Sequence, residues 1–495
     1  MKKYSIKLLA LLTSAILLGS CSDFLDTDPT NRVPSNEIQT IRDLEKIVNG
    51  FYLQMKWNDY YGTPIMVLGE TRADDFKPRR STGGFQQIHR YDFTTTNYSY
   101  GGIWDKAYNV IMNTNFLLTL WDGIPANTQD EIDRKNNVKG QLYTVRAFCH
   151  FDIVRLYCYP YLKDNGASLG AVIGDKVFGL GEQKARATVK ETYDFVIGDL
   201  TEALTYLSSD YSKEPSPGNF NYWGAKGLLA RVYLYKGDYD NAFKHADEIL
   251  TDPDNPYRLN TNLEYVAAWG QQDAPETMLE LKVTIMSNLD DNGGVDSWYY
   301  VVWHGPGFAA GNLVPTKKWF DLLDQDPDDV RHGLIETRYP DPEETPFTPF
   351  KWLAKFPGYD KDFKKNNPMI MRLTEIYLIA AEAALKKSTP DQAKANQYLN
   401  AIRLRANPAL TNVTATEDLV LDERRKEFIG EGHRYFDLAR LGKTIDRTYD
   451  NSLPGTNAYK IVDPWNVSGT QHKVILPISN AQRLANPLAD QNPGY

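Results

Sequence analysis

Two short helical stretches joined by Gly237-Asp238 restrict the architecture more than any other part of this 495-residue chain. Residues 222–236 read as one helix and residues 239–250 as another, with the Gly-Asp pair as a tight turn between them. Ala230, Gly237, Ala242 and Ala246 are small, and Tyr233 lies among them. Small side chains let two antiparallel helices approach closely. Units of this kind stack into a superhelix, because one pair cannot bury its apolar face alone. The pair therefore predicts others.

A similar pair recurs at about 370–387 and 391–406, with Ile376, Ile379, Ala380 and Ala383 facing Ala393, Leu399 and Ile402. Upstream, apolar stripes at helical spacing mark a helix at about 103–121 through Trp104, Tyr108, Ile111, Asn115 and Leu118. Another covers about 135–159 through Leu142, Val145, Phe148, Ile153 and Leu156, and Pro160 ends it. A third covers 188–207 through Tyr193, Ile197, Leu200 and Leu204. A helical pattern also begins near Ser35. The expected fold is mainly α: about four helical pairs near the tetratricopeptide pattern, with a loop-rich second lobe made by insertions. Residues 62–100 read as irregular because Gly62, Pro64, Gly69, Pro78, Gly83 and Gly84 punctuate them. Residues 251–367 read as long loops with short elements, rich in Pro, Gly, Asp and Trp, and the tail after about 443 is also loop-rich.

The N-terminus carries a different instruction. Lys2, Lys3 and Lys7 precede an apolar run from Leu8 to Leu18, followed by Gly19, Ser20 and Cys21. A basic head, a short apolar run and small residues before a cut define a secretory signal, here residues 1–20. The run falls short of the roughly 20 apolar residues needed to span a bilayer. Leu18-Gly19-Ser20-Cys21 resembles a bacterial lipobox, which makes Cys21 the acylated first residue of the mature chain and predicts an acyl anchor such as palmitate. Residues 21–34, acidic and punctuated by Pro29, read as a lipidated tether.

Removing the leader moves the formal charge from −9 to −12, which argues against nucleic acid as a partner. The chain has 31 Tyr, 20 Phe and 10 Trp, and flat rings suit the C–H faces of sugars, though Tyr also packs helices. Besides Cys21 there are only Cys149 and Cys158, nine apart in one expected helix and so about 13 Å apart along its axis, too far for a disulfide. They read as buried thiols. No Cys/His cluster has zinc spacing, and no metal or other cofactor is expected.

Several stretches, in order, resemble the SusD/RagB family of surface lipoproteins. They are Cys21–Asp26, residues 104–115 (WDKAYNVIMNTN), 140–160, 371–383 (MRLTEIYLIAAEA), 399–406, 423–442 (ERRKEFIGEGHRYFDLARLG) and 474–495. The resemblance implies four tetratricopeptide-like pairs, and a ligand site on the face built by the insertions. It also implies capture of glycan at the outer membrane and delivery to a SusC-like TonB-dependent transporter, without catalysis. The domain reading is a signal peptide at 1–20, the tether at 21–34, and an N-terminal SusD-like region with helical repeats and ligand-side loops at 35–250. A loop-rich insertion lobe follows at 251–367, then the last repeat and a C-terminal SusD/RagB-like region at 368–495. Asp23, Asp26 and Asp28 resemble the acidic signal that sends such lipoproteins to the cell surface.

Loop aromatics are better ligand platforms than helix-stripe aromatics, which are usually core. On that ground Trp298, Tyr299, Tyr300 and Trp303 lead, although 297–303 as a strand would bury half of them. Tyr98 and Tyr100 precede the Trp104 helix, where family members often place ligand contacts. Asp75 and Arg80 are candidate hydrogen-bonding groups from the earlier loop. Trp104 and Trp319 read as structural. Glu423, Arg424, Arg425, Glu427, Glu431 and Arg434 read as charge pairs tying a helix to its neighbours around a Gly430/Gly432 turn, not as an active site. The chain has no G-x-S-x-G, H-E-x-x-H or P-loop motif. Two alternatives stay open: an exported glycan-degrading enzyme on a helical scaffold, whose paired carboxylates could hide among 64 acids, and a peptide-binding member of the family.

Overall fold

The computed structural model describes residues 37–57, 59–78, 84–96, 102–210, 217–283, 313–338, 350–359, 366–447, 460–461 and 471–495. The signal peptide, Cys21 and the tether lie outside these residues. Fifteen α-helices are described: α1 (Ile41–Met55), α2 (Pro64–Thr71), α3 (Gly84–His89), α4 (Gly102–Thr119), α5 (Gln129–Tyr157), α6 (Val189–Tyr206), α7 (Tyr222–Lys236), α8 (Tyr239–Thr251), α9 (Tyr265–Ala268), α10 (Lys317–Leu323), α11 (Leu373–Lys386), α12 (Gln392–Ala406), α13 (Glu417–Glu427), α14 (Arg434–Arg440) and α15 (Asn480–Ala485). The strands are β1 (Phe76–Pro78), β2 (Thr277–Glu280), β3 (Leu313–Pro315), β4 (Ile335–Arg338), β5 (Phe350–Leu353), β6 (Met369–Arg372), β7 (Ile445–Asp446) and β8 (Lys460–Ile461). They pair as four antiparallel two-stranded ladders: β1–β3, β2–β6, β4–β5 and β7–β8.

Helices α4 to α8 pack each on the next, then α8 packs on α11 and α11 on α12. The expected stack of helical pairs is therefore the scaffold, continuous in space although the insertion separates α8 from α11 in sequence. The Gly237-Asp238 turn shows how a pair is made. Gly237 sits at φ +78°, a conformation that costs glycine no Cβ clash. The N–H of Gly237 donates to Leu234 O and that of Asp238 to Tyr233 O, at 3.1 and 3.0 Å, closing α7. The Asp238 side chain then accepts from Asn241 N and opens α8. Ala230, Ala242 and Ala246 are fully buried where the helices approach. Between α5 and α6 the bond is polar: Arg146 donates to both Asp199 oxygens at 2.8 and 2.7 Å and to Asn115 Oδ1 of α4 at 2.7 Å.

Element ends differ from the sequence reading in three places, each for a physical reason. Helix α5 begins at Gln129, not 135, because Thr128 and Glu131 form a reciprocal capping box ahead of a polar first turn. Helix α11 begins at Leu373, because 369–372 is strand β6, held by β2 from the insertion. Residues 62–100 are not simply irregular, since they contain α2, β1 and α3. All eight residues of α2 are buried, so it has no polar face and no amphipathic period. Its Pro64 stands in the first helical turn, where proline costs nothing. Trp104 and Trp319 are buried, as expected, and so are Trp352 and the free thiols Cys149 and Cys158. Among the described residues no helix is long and apolar enough to cross a membrane.

Gly69 of α2 marks the tightest approach. A Cβ there would lie 2.1 Å from the carbonyl oxygen of Gly432, which is itself at φ +79°. Backbone meets backbone at this point, so no side chain can move aside. Gly69→Ala is expected to lower stability by about 1–3 kcal/mol, the usual scale of core overpacking. Urea unfolding followed by circular dichroism measures this, and an unchanged midpoint would show that the α2–Gly432 contact relaxes freely.

Candidate functional site

The supports of the site are ionic and buried. Glu427 ends α13 with its side chain fully buried. Its Oε1 accepts from Arg372 Nη1 and Arg405 Nη2, both at 2.7 Å, and from Tyr265 OH at 3.2 Å. Its Oε2 accepts from Arg331 Nη1 at 3.1 Å. Three guanidiniums from β6, α12 and the 3-10 turn Val330–Leu334 thus meet one carboxylate. Burial alone would raise the Glu427 carboxyl, but Arg405, Arg372 and Arg331 overcome it and hold the group well below the ordinary range. Glu431 extends the cluster, accepting from Lys355 at 2.6 Å and Arg372 at 2.9 Å, and Glu276 bonds Arg405 at 2.8 Å.

A second cluster joins the two ends of the chain. Arg425 Nε donates to Asp75 Oδ1 at 2.6 Å, Arg434 Nε to Asp74 Oδ1 at 2.8 Å, and Lys318 Nζ to Asp74 Oδ2 at 2.8 Å. Arg447 donates to the carbonyls of Thr71, Arg72, Ala73 and His89. The 423–434 stretch is therefore what its sequence suggested: charge pairs around Gly430 and Gly432, both at positive φ. Asp75 needs a correction. It is 1% exposed and ion-paired with Arg425, so its carboxylate faces the core and not a ligand in solvent. The reason is long-range: Ala73, Asp74 and Asp75 lead into β1, which pairs with the distant β3 and draws the segment inward beside Arg425.

The remaining predicted ligand residues, Arg80, Tyr98, Tyr100, Trp298, Tyr299, Tyr300 and Trp303, lie outside the described residues. The described ends of their segments are informative. Pro78 pairs with Leu313, so the chain leaves toward Arg80 beside the point where it re-enters from the Trp298–Trp303 segment. At that segment's other end, Lys56 Nζ donates to Lys282 O at 2.8 Å. Val283 N donates to Asn367 Oδ1 at 2.8 Å, and Tyr359 OH donates to Val283 O at 2.8 Å. Next to Lys56 stands Trp57, 40% exposed. Lys106 Nζ lies 4.7 Å from its ring centroid and 3.7 Å from Asp59 Oδ2. A Cβ at Gly102 would lie 2.3 Å from Asp59 Cβ, so Asp59 abuts the point where the chain re-enters from Tyr98 and Tyr100. Trp57 thus stands among residues that touch one described end of each segment, Lys282 through Lys56 and Gly102 through Asp59.

Sequence reasoning missed Trp57. At helical spacing it falls on the face opposite the buried α1 stripe of Leu44, Val48, Phe51 and Met55, one residue past the helix cap Lys56, and that offset is the signal that could have found it. An exposed ring flanked by an ammonium and a carboxylate offers a flat apolar surface with hydrogen-bonding groups of both signs at its edge.

A family model described as "SusD family" matches residues 286–495, and one described as "Starch-binding associating with outer membrane" matches residues 23–234. A crystal structure of a SusD superfamily protein from Bacteroides vulgatus is 34% identical, with a TM-score of 0.81, over 92% of this chain and 100% of that one. The SusD-like protein P25 of Formosa agariphila is 24% identical over 95% of this chain and 94% of its own. Starch-binding protein SusD of Bacteroides thetaiotaomicron is 30% identical over 26% of this chain and 21% of that one.

Two outcomes are expected from the buried supports. Glu427→Gln leaves three arginines short of a counter-charge and should cost about 3–5 kcal/mol of stability in urea unfolding. Glu70 acts in the opposite sense with pH. Burial lifts its carboxyl to about 8 from 4.5, although Gly432 N donates to it. The folded chain keeps this proton where the unfolded chain releases it. The stability the group contributes is therefore full below about pH 4.5 and declines as pH rises toward 8. Relative to Glu70→Gln, the native chain should lose about 1–3 kcal/mol between pH 5 and pH 8, and parallel stability curves would refute this.

Proposed function

This chain belongs to the SusD/RagB family, and on that premise we propose that it is a cell-surface glycan-binding lipoprotein. It captures oligosaccharide or polysaccharide and delivers it, uncleaved, to a TonB-dependent transporter of the SusC kind in the outer membrane. Cys21 carries the acyl anchor, which needs more than one chain to hold stably.

The observation that carries this reading is the exposed Trp57 beside the ends of the two segments that hold the candidate aromatics. Glycan recognition needs flat rings for sugar faces and hydrogen-bonding groups at their rims. Trp57 supplies the first, and Lys106 and Asp59 supply the second. Trp298, Tyr299, Tyr300, Trp303, Tyr98 and Tyr100 complete the platform in this reading, with Arg80 as a donor. The family-model description naming starch binding and outer-membrane association supports both ligand class and location. Loops on a rigid base are where binding chemistry is usually carried.

Titration calorimetry with an oligosaccharide panel tests the proposal. At least one glycan should bind, and Trp57→Ala and Trp298→Ala should each weaken it about ten-fold, equal to ~1.4 kcal/mol, without changing the melting curve. Prolonged incubation should release no new reducing ends. Turnover dependent on an Asp or Glu would make the chain a glycan-degrading enzyme, and tight peptide binding with no glycan binding would make it a peptide receptor.

A further inference from the structure

A groove of about 480 Å³ opens on the opposite use of aromatic residues, an apolar trough between α1, α4 and the loop after Gly174. Phe51, Met112, Phe116, Leu117 and Phe178 form its walls. Val177 stands at its rim, 43% exposed. The volume falls within the range of sites that enclose a ligand's apolar body. Lysines edge it: Lys46 lines it, and Lys176 adjoins Val177. Lys46 holds a surface ion pair to Asp43, and Lys176 one to Glu182 beside a longer contact of its ammonium with the Phe178 ring, 5.9 Å from the centroid; surface pairs of this kind exchange at little cost.

Ile38 is also part of the lining and is the second residue of the described chain. The described chain therefore begins at the lining of the groove. The 16 residues from Cys21 to Asn36 precede it, and their apolar side chains other than proline are Phe24, Leu25 and Val33. Phe24-Leu25 is the larger pair, and Asp23 and Asp26 flank it directly. An apolar pair between two acids matches an apolar trough edged by lysines.

We propose that Phe24-Leu25 of the chain's own tether docks in this groove, with Asp23 and Asp26 facing Lys46 and Lys176. Twelve residues separate Leu25 from Ile38, a span of 13 Cα steps and a reach of up to about 43 Å extended, so the segment can fold back on the groove without strain. Attachment makes the encounter intramolecular, at an effective concentration on the order of millimolar, so weak apolar contacts suffice to keep it filled. A docked tether sets the distance and direction of the body from whatever holds residue 21. The inference rests on the groove and on the described chain beginning at its lining, and it stands whether or not glycan binds elsewhere.

The test uses the full chain with Phe24 replaced by photoreactive benzoylphenylalanine, irradiated and mapped by mass spectrometry. Cross-links within one molecule to residues 112–117 or 177–178 are expected, and Val177→Asp at the rim should cut their yield at least about five-fold at an unchanged melting temperature. Cross-links elsewhere on the body, none above the level of the urea-unfolded chain, or links only in a dimer-sized band would each overturn the proposal. The last would assign the groove to a second copy.

Discussion

One carboxylate, Glu427, holds the irregular part of this protein to its regular part. A buried charge without partners is among the costliest features a fold can carry, so each group that meets it is held in place. Arg372 comes from the strand ahead of α11, Arg405 from α12, and Arg331 from the insertion. Lys355, also from the insertion, donates to the backbone oxygen of Glu427 and to the side chain of Glu431. Replacing this cluster with apolar residues of equal volume need not destabilise the protein. What the ions add is geometry, because guanidinium–carboxylate bonds fix direction as well as distance.

That geometry compensates for a shortage of sheet. Each ladder among the described residues has only two strands, and two-stranded ribbons are marginal alone. Here two of them, β1–β3 and β2–β6, are stabilised by the ion pairs beneath them. Strand β1 starts from Asp74 and Asp75, which are locked to Arg425 and Arg434, and then pairs with β3. Strand β2 pairs with β6, which carries Arg372. Residues near the start of the fold, from the insertion and from the C-terminal third are thus bound into one base, although the chain separates them by hundreds of residues.

The helical scaffold was legible because its signals are local. The periodic stripes and the Gly237-Asp238 turn each need only a few neighbouring residues to be read. The role of residues 423–434 was legible too, since that many charges in a helix before two glycines demand partners. Helix α2 was not, because complete burial removes the alternation on which the reading depends. Asp75 misled for a related reason: its partner Arg425 lies 350 residues away, and no local pattern reveals a long-range ion pair. Trp57 stands on the face opposite the α1 stripe, and a lone aromatic just past a helix end carries no pattern that separates a platform from a packing ring.

These causes also separate what the protein must keep from what it can vary. The base uses groups whose loss leaves a buried charge, so it tolerates few changes. The exposed ground around Trp57 has no such constraint: Lys106 and Asp59 are partly solvated, and their ion pair contributes little to folding. A surface whose side chains matter little to stability can vary in sequence without endangering the fold. The described residues that bound the 284–312 stretch are fixed, Lys282 on Lys56 and Leu313 on Pro78. In the proposed glycan-binding reading, selectivity depends on which rings and donors the aromatic segments bring to the ligand. Affinity depends on how firmly the anchors hold, because ordering a loose segment on binding subtracts from every contact it makes.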